Sequence, residues 1–128
     1  MRTCLVIGSL SCALAVLLGA FAAHGLKAVL DAHALETFRT GVDYQFKHSL
    51  ALLLVGICGW QGKDSRSLTA AGWAFVIGIV LFCGSLYGLS LLNWIWLGPV
   101  TPLGGLSFIL GWGLMAAHFL KMPRHLAP

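Results

Sequence analysis

The sequence predicts an all-α membrane protein, a four-transmembrane-helix bundle with a short amphipathic helix between the first two spans. Three observations lead there. Of 128 residues, 59% are hydrophobic and only 9% charged, with a mean hydropathy of +0.89. An ordinary soluble domain carries roughly 25% charged residues, so this chain lacks the charge to cover a water-facing surface. Four apolar stretches approach or reach the roughly 20 residues that a helix needs to cross the hydrocarbon core. Charges and tryptophans gather at the ends of those stretches, where a bilayer meets water. The whole chain, 1–128, reads as a single membrane domain, with no linker, low-complexity tract or internal repeat.

The first span is 4–23, with no charged residue. It ends in GAFAAHGL, in which Ala20-Phe21-Ala22 resembles a signal-peptidase site. Signal h-regions run only about 7–15 residues, and three more spans follow, so an uncleaved helix is expected. Next comes a polar segment, 26–39. Leu26, Leu30, Ala34 and Phe38 recur at helical spacing with Lys27, Asp31, Glu36 and Arg39 around the turn, the pattern of an amphipathic helix lying on the membrane surface. Thr40-Gly41-Val42-Asp43 looks like a cap that opens the second span, 41–60. The third span is 68–92 and the fourth 103–120, the latter opened by Thr101 as N-cap and Pro102 at the first helical position. Gly8, Ser11, Ala15 and Gly19 form a small-residue stripe on the first span, and Gly84 and Gly88 a GxxxG pair on the third. Such residues let helices approach closely in lipid, and internal packing is the expected use.

Orientation follows from the loops. Arg2, Lys63, Arg66, Lys121 and Arg124 share one side, against Lys27, Arg39 and Lys47 on the other. The positive-inside rule then puts both termini in the cytoplasm. The net charge of +4 is loop charge of this kind rather than a nucleic-acid footprint.

Running the spans alternately through the membrane brings polar residues into the outer half. His24 ends the first span; Tyr44, Gln45 and His48 lie in the first turns of the second; Ser85 and Tyr87 in the last turns of the third; Thr101 opens the fourth. At 1.5 Å per residue, His48 lies roughly 10 Å below Gly41 and Ser85 roughly 10 Å below Leu92. Tyr44 and His48 are i, i+4 neighbours; Asp43 and Lys47 form a second such pair rotated away from them. These seven residues are the candidate polar cluster. Two uses compete: a set of hydrogen bonds that cross-links helices, or a substrate, ion or proton site. Cross-linking is the preferred reading. His118 is expected at the cytoplasmic interface and His125 in the tail.

Catalytic signatures are scarce in the sequence, and a membrane-embedded enzyme is the reading with the least support. The four acids fall in or beside loops, and there is no Ser-His-Asp order, H-E-x-x-H or phosphate loop. The spacings of His24, His33 and His48 match no standard metal site. Cys4, Cys12, Cys58 and Cys83 all stand in apolar runs and read as small packing residues. No cofactor is expected.

The stretches GAFAAHGL (19–26), TGVDYQFKHSLALL (40–53), LFCGSLYGLSL (81–91) and VTPLGGLSFILGWGLM (100–115) resemble the YgdD-like small membrane proteins, a family of unknown function. The family pattern has Gly at Ala22 and Ser at Cys83; the second change removes a hydroxyl beside Ser85. The resemblance implies a four-helix inner-membrane protein with an uncleaved first helix, and brings no biochemical activity. The reading is therefore a non-enzymatic helix bundle with a structural, lipid-interacting or partner-binding role, its partners the lipid bilayer and a second copy or another membrane protein. The alternative is a small channel or carrier for protons or a neutral solute, with His48, whose ordinary pKa lies at about 6.5, as the titrating group.

Overall fold

The computed structural model describes residues 1–63 and 65–122, the side chains at 62 and 63 excepted. Arg124 and His125 lie outside them. Long apolar runs without proline close every backbone hydrogen bond internally, which is what a helix in lipid requires. The first run becomes α1, Arg2–Ala23. A 3-10 turn at Leu26–Ala28 then reverses the chain.

The expected surface helix and the second span are one continuous helix, α2, Ala32–Cys58. Its cap is Asp31, whose carboxylate accepts from the Ala34 N–H at 2.8 Å. Thr40 is no cap: its hydroxyl donates to the Glu36 carbonyl one turn back. Gly41 does not break the helix either, because it serves as a contact. A Cβ there would stand 2.8 Å from the Tyr87 ring. Asp31→Ala removes the side-chain acceptor at the true start of α2 and is expected to cost about 1 kcal/mol, read as a lower midpoint in thermal unfolding in detergent. Thr40→Ala, by the same measurement, leaves the midpoint unchanged; a loss as large as that of Asp31→Ala would restore the cap to position 40.

The third helix, α3, runs through Arg66–Leu92. It starts at Ser65, which caps Leu68, and contains one π-helical turn at Ile79–Cys83. Asn93, in the left-handed region at φ 52°, ends it. After a 3-10 turn at Ile95–Leu97 comes α4, Val100–Leu120. Its first turn has no side-chain cap, so the expected Thr101 cap is absent and that hydroxyl is used elsewhere.

Among the described residues, three helical stretches are long and apolar enough to cross a membrane: Arg2–Ala28, Arg66–Leu92 and Ile95–Leu120. The α2 helix is not among them, since Glu36, Arg39, Asp43 and Lys47 occupy its first half. Yet α2 packs against all three other helices. It runs antiparallel to α1 along its length: Gly19 faces Val42, Gly8 the backbone at Ser49, Gly56 the side chain of Leu5. Its other faces meet α3, through Gly41 with Tyr87 and Val55 with Gly72, and α4, through His48 with Phe108. The core lies between α2, α3 and α4, built on Leu52, Val55, Leu68, Phe75 and Phe108. Of the GxxxG pair, Gly88 packs on Leu97 while a Cβ at Gly84 would meet nothing within 4 Å.

Candidate functional site

The expected polar cluster divides into two hydrogen-bonded groups, a stacked histidine, an exposed tyrosine and one outlier. The first group joins three helices at Gln45, which is 3% exposed. Its Oε1 accepts from the Tyr87 hydroxyl of α3 at 2.6 Å. Its amide donates to the Ser11 carbonyl of α1 at 3.1 Å, with the Ser11 hydroxyl at 3.3 Å. Ser49, one turn along α2, donates within 2.7 Å of both the Ser11 hydroxyl and the Gln45 carbonyl. Every polar atom of the Gln45 amide group is thus engaged, which is the condition for keeping it in hydrocarbon.

The second group ties α3 to α4. Ser85 and Thr101 hydroxyls stand 2.6 Å apart, and Ser85 also donates to the Phe82 carbonyl at 2.8 Å. That carbonyl belongs to the π turn, where the regular ladder is interrupted. Backbone approaches backbone at the same place: Gly104 of α4 lies against the main chain of Phe82.

His48 is buried between these groups. Its Nδ1 is 2.8 Å from the Tyr44 carbonyl, so this nitrogen carries the proton and donates. The ring lies parallel to Phe108 at 3.5 Å between centroids. Tyr44 is exposed, its ring against Phe82 at 4.5 Å. His24 is also exposed, 13 residues from Ser11 and so roughly 20 Å along α1 from the Gln45 group. It takes no part in either group. The Asp43–Lys47 ion pair is formed at 2.6 Å on the exposed side of α2.

Ser11 and Ser49 are the residues that sequence reasoning missed. A serine in an apolar run reads as a small packing residue, and only its i, i+4 spacing from Gln45 could have flagged Ser49. His118 is the other surprise. In the last turn of α4, its side chain is buried against the start of α3, its Nδ1 2.7 Å from the Ser65 hydroxyl that caps that helix. Among the described residues its Nε2 has no partner.

Beside the Gln45 group, a groove of ≈ 380 Å³ opens between α1 and α3, with Leu10, Ile79 and Cys83 around Ser11, Gln45 and Tyr87. The polar groups that reach it are already bonded to each other. Among the described residues, no three or more His, Cys, Asp or Glu gather where they could hold a metal ion, and Cys12, Cys58 and Cys83 are free thiols. The arrangement can hold helices in register.

A family model described as a protein of unknown function, DUF423, matches residues 18–105. The chain is 40% identical over 121 residues to a UPF0382 membrane protein, YwdK, of Bacillus subtilis, an alignment covering 94% of this chain and 98% of that one. It is 41% identical to a UPF0382 membrane protein of Haemophilus influenzae, over 84% of this chain and 86% of the relative. A Staphylococcus aureus UPF0382 membrane protein is also 41% identical, over 88% and 90% respectively. No solved structure matches the chain.

Proposed function

The chain belongs to the DUF423 family of small integral membrane proteins, whose molecular function is unknown, and from that premise we propose a non-catalytic, non-conducting four-span bundle of the inner membrane that acts through its lipid- and partner-facing surface. The observation that carries this reading is the closure of the intramembrane polar groups on one another. Gln45, Tyr87, Ser11 and Ser49 satisfy each other, as do Ser85 and Thr101. A conducting path needs polar groups free to exchange partners with water or an ion. Here the His48 proton is committed to Tyr44 and its ring to Phe108, and the next layer is Leu52, Val55, Phe75 and Phe108.

The fourth crossing is α2. Its contacts with α1 run from Val42 opposite Gly19 to Gly56 beside Leu5, so a bilayer thick enough for α1 covers this part of α2 as well. Hydropathy counts Gln45, His48 and Ser49 against α2 although these face neighbouring helices instead of lipid, and the exposed Asp43 and Lys47 neutralise one another. Four crossings return the C-terminus to the side of the N-terminus. Arg2, Arg66 and Lys121 favour the cytoplasm for that side.

Proteoliposomes carrying the wild type or His48→Ala test the reading. Proton and small-solute flux across the histidine range, about pH 5 to 8, is expected to match empty liposomes for both proteins. A pH-dependent wild-type flux that disappears in His48→Ala would sink the non-conducting bundle and establish the carrier alternative.

A further inference from the structure

A groove of ≈ 370 Å³ runs between α1 and α2 at the end where α1 finishes, and it has two chemically distinct parts. Ala15, Gly19, Val42 and Phe46 form its apolar walls, and Arg39 and Asp43 also line it. The carboxylate of Asp43 is neutralised by Lys47 at 2.6 Å. Arg39 is exposed, and among the described residues no carboxylate pairs with it. The guanidinium is therefore the uncompensated charge of the groove.

Depth gives that charge a meaning. The 22 residues of α1 span about 33 Å at 1.5 Å each, close to the roughly 30 Å hydrocarbon thickness. Phe38 packs with Ala22 and Leu26 at the last turn of α1, so Arg39 stands at headgroup level. From Arg39 to Phe46 is two turns of α2, about 10 Å, and the apolar walls descend over that distance to the level of Ala15. A cation at phosphate height above an apolar trough is complementary to one amphiphile. Glycine at position 19 keeps the trough open: a Cβ there would meet only Val42 at 3.5 Å, an ordinary contact, so helix packing does not demand glycine.

We propose that the α1–α2 groove is a binding site for an anionic glycerophospholipid, its phosphate on Arg39 and an acyl chain along Gly19, Val42 and Phe46. The site rests on the reading of the protein as a lipid-interacting bundle and names the lipid class and its place. Arg39 supplies both the charge attraction and the planar donor fork suited to a phosphate.

Native mass spectrometry of the intact protein in mild detergent, titrated with phosphatidylglycerol or phosphatidylcholine, tests it. Wild type is expected to retain one phosphatidylglycerol more tightly than phosphatidylcholine. Arg39→Gln reduces that preference about fivefold, the effect of one basic residue at the surface. Gly19→Leu fills the trough and lowers retention of both lipids. Lys27→Gln removes an exposed cation at the same end, outside the groove, and leaves the preference intact. Equal losses from Lys27→Gln and Arg39→Gln would mean a diffuse surface attraction and overturn the site, as would unchanged retention in folded Gly19→Leu. Flux in liposomes reports separately on the non-conducting bundle, so a conducting protein that keeps its Arg39-dependent lipid would lose only that part of the reading.

Discussion

Gly104→Ala destabilises the detergent-solubilised protein by about 3 kcal/mol, the upper part of the usual range for overpacking, and lowers its unfolding midpoint more than a methyl added at any other glycine among the described residues. The added carbon would fall 2.7 Å from the Cα of Phe82 and nearer still to its nitrogen. The obstacle is backbone, which cannot swing aside as a side chain can. It is also backbone of the π turn, whose carbonyl at Phe82 is held by Ser85, which in turn holds Thr101. Separating α3 from α4 here would stretch those bonds and expose hydroxyls to hydrocarbon. The neighbouring glycines supply the control. At Gly105 a Cβ would meet the Phe82 ring at 3.9 Å, and at Gly113 nothing within 4 Å. Alanine at either is expected to leave the midpoint unchanged or to raise it by up to about 1 kcal/mol, the helix-propensity gain over glycine. Equal midpoints for Gly104→Ala and Gly105→Ala would refute the close crossing of α4 over the π turn.

The second large effect is expected at Gln45. Gln45→Leu keeps a side chain of similar size but withdraws an acceptor from the Tyr87 hydroxyl and a donor from Ser11. Stranding a half-buried donor costs about 1–3 kcal/mol, and membrane interiors lie at the lower end because unfolded helices also find partners. A loss of about 2 kcal/mol is expected in a denaturing-detergent titration. Tyr87→Phe strips the other half of the pair. The double variant Gln45→Leu/Tyr87→Phe should lose less than the sum of the two, with a coupling of about 0.6–1.7 kcal/mol. Additive losses would mean that the 2.6 Å bond does not hold α2 to α3.

Local signals in the sequence carried unequal weight. Position 40–43 reads as a helix start because Thr and Asp can cap any free N–H, and glycine commonly interrupts helices. Whether such a site ends a helix depends on what lies beside it, and beside Gly41 lies the Tyr87 ring. The two expected helices are therefore one, and the cap falls to Asp31. The same limit applies at Thr101, which fits a cap by position but meets Ser85 across the bundle. His24 shares a membrane half with the polar residues in a topology diagram, yet a half-bilayer is about 15 Å deep, too coarse to make neighbours. Gln45 and Tyr87 were recognisable as polar residues in apolar runs; their partners Ser11 and Ser49 were hidden by being small.

Composition and hydropathy by themselves determined that this is a membrane protein made of helices, since continuous apolar runs of about 20 residues satisfy their backbone in lipid as helices, whereas barrel strands alternate polar with apolar residues. They also determined where three of the helices run. The tertiary structure alone decided the standing of α2: a helix is judged apolar by its average, but what matters is which residues face lipid. Gln45, His48 and Ser49 are buried against neighbouring helices, so the most polar of the four helices turns part of its polarity inward, where an average over the sequence cannot see it. Packing likewise decided which glycine is indispensable and which hydroxyls meet, because both depend on distances of a few tenths of an ångström between segments far apart in the chain.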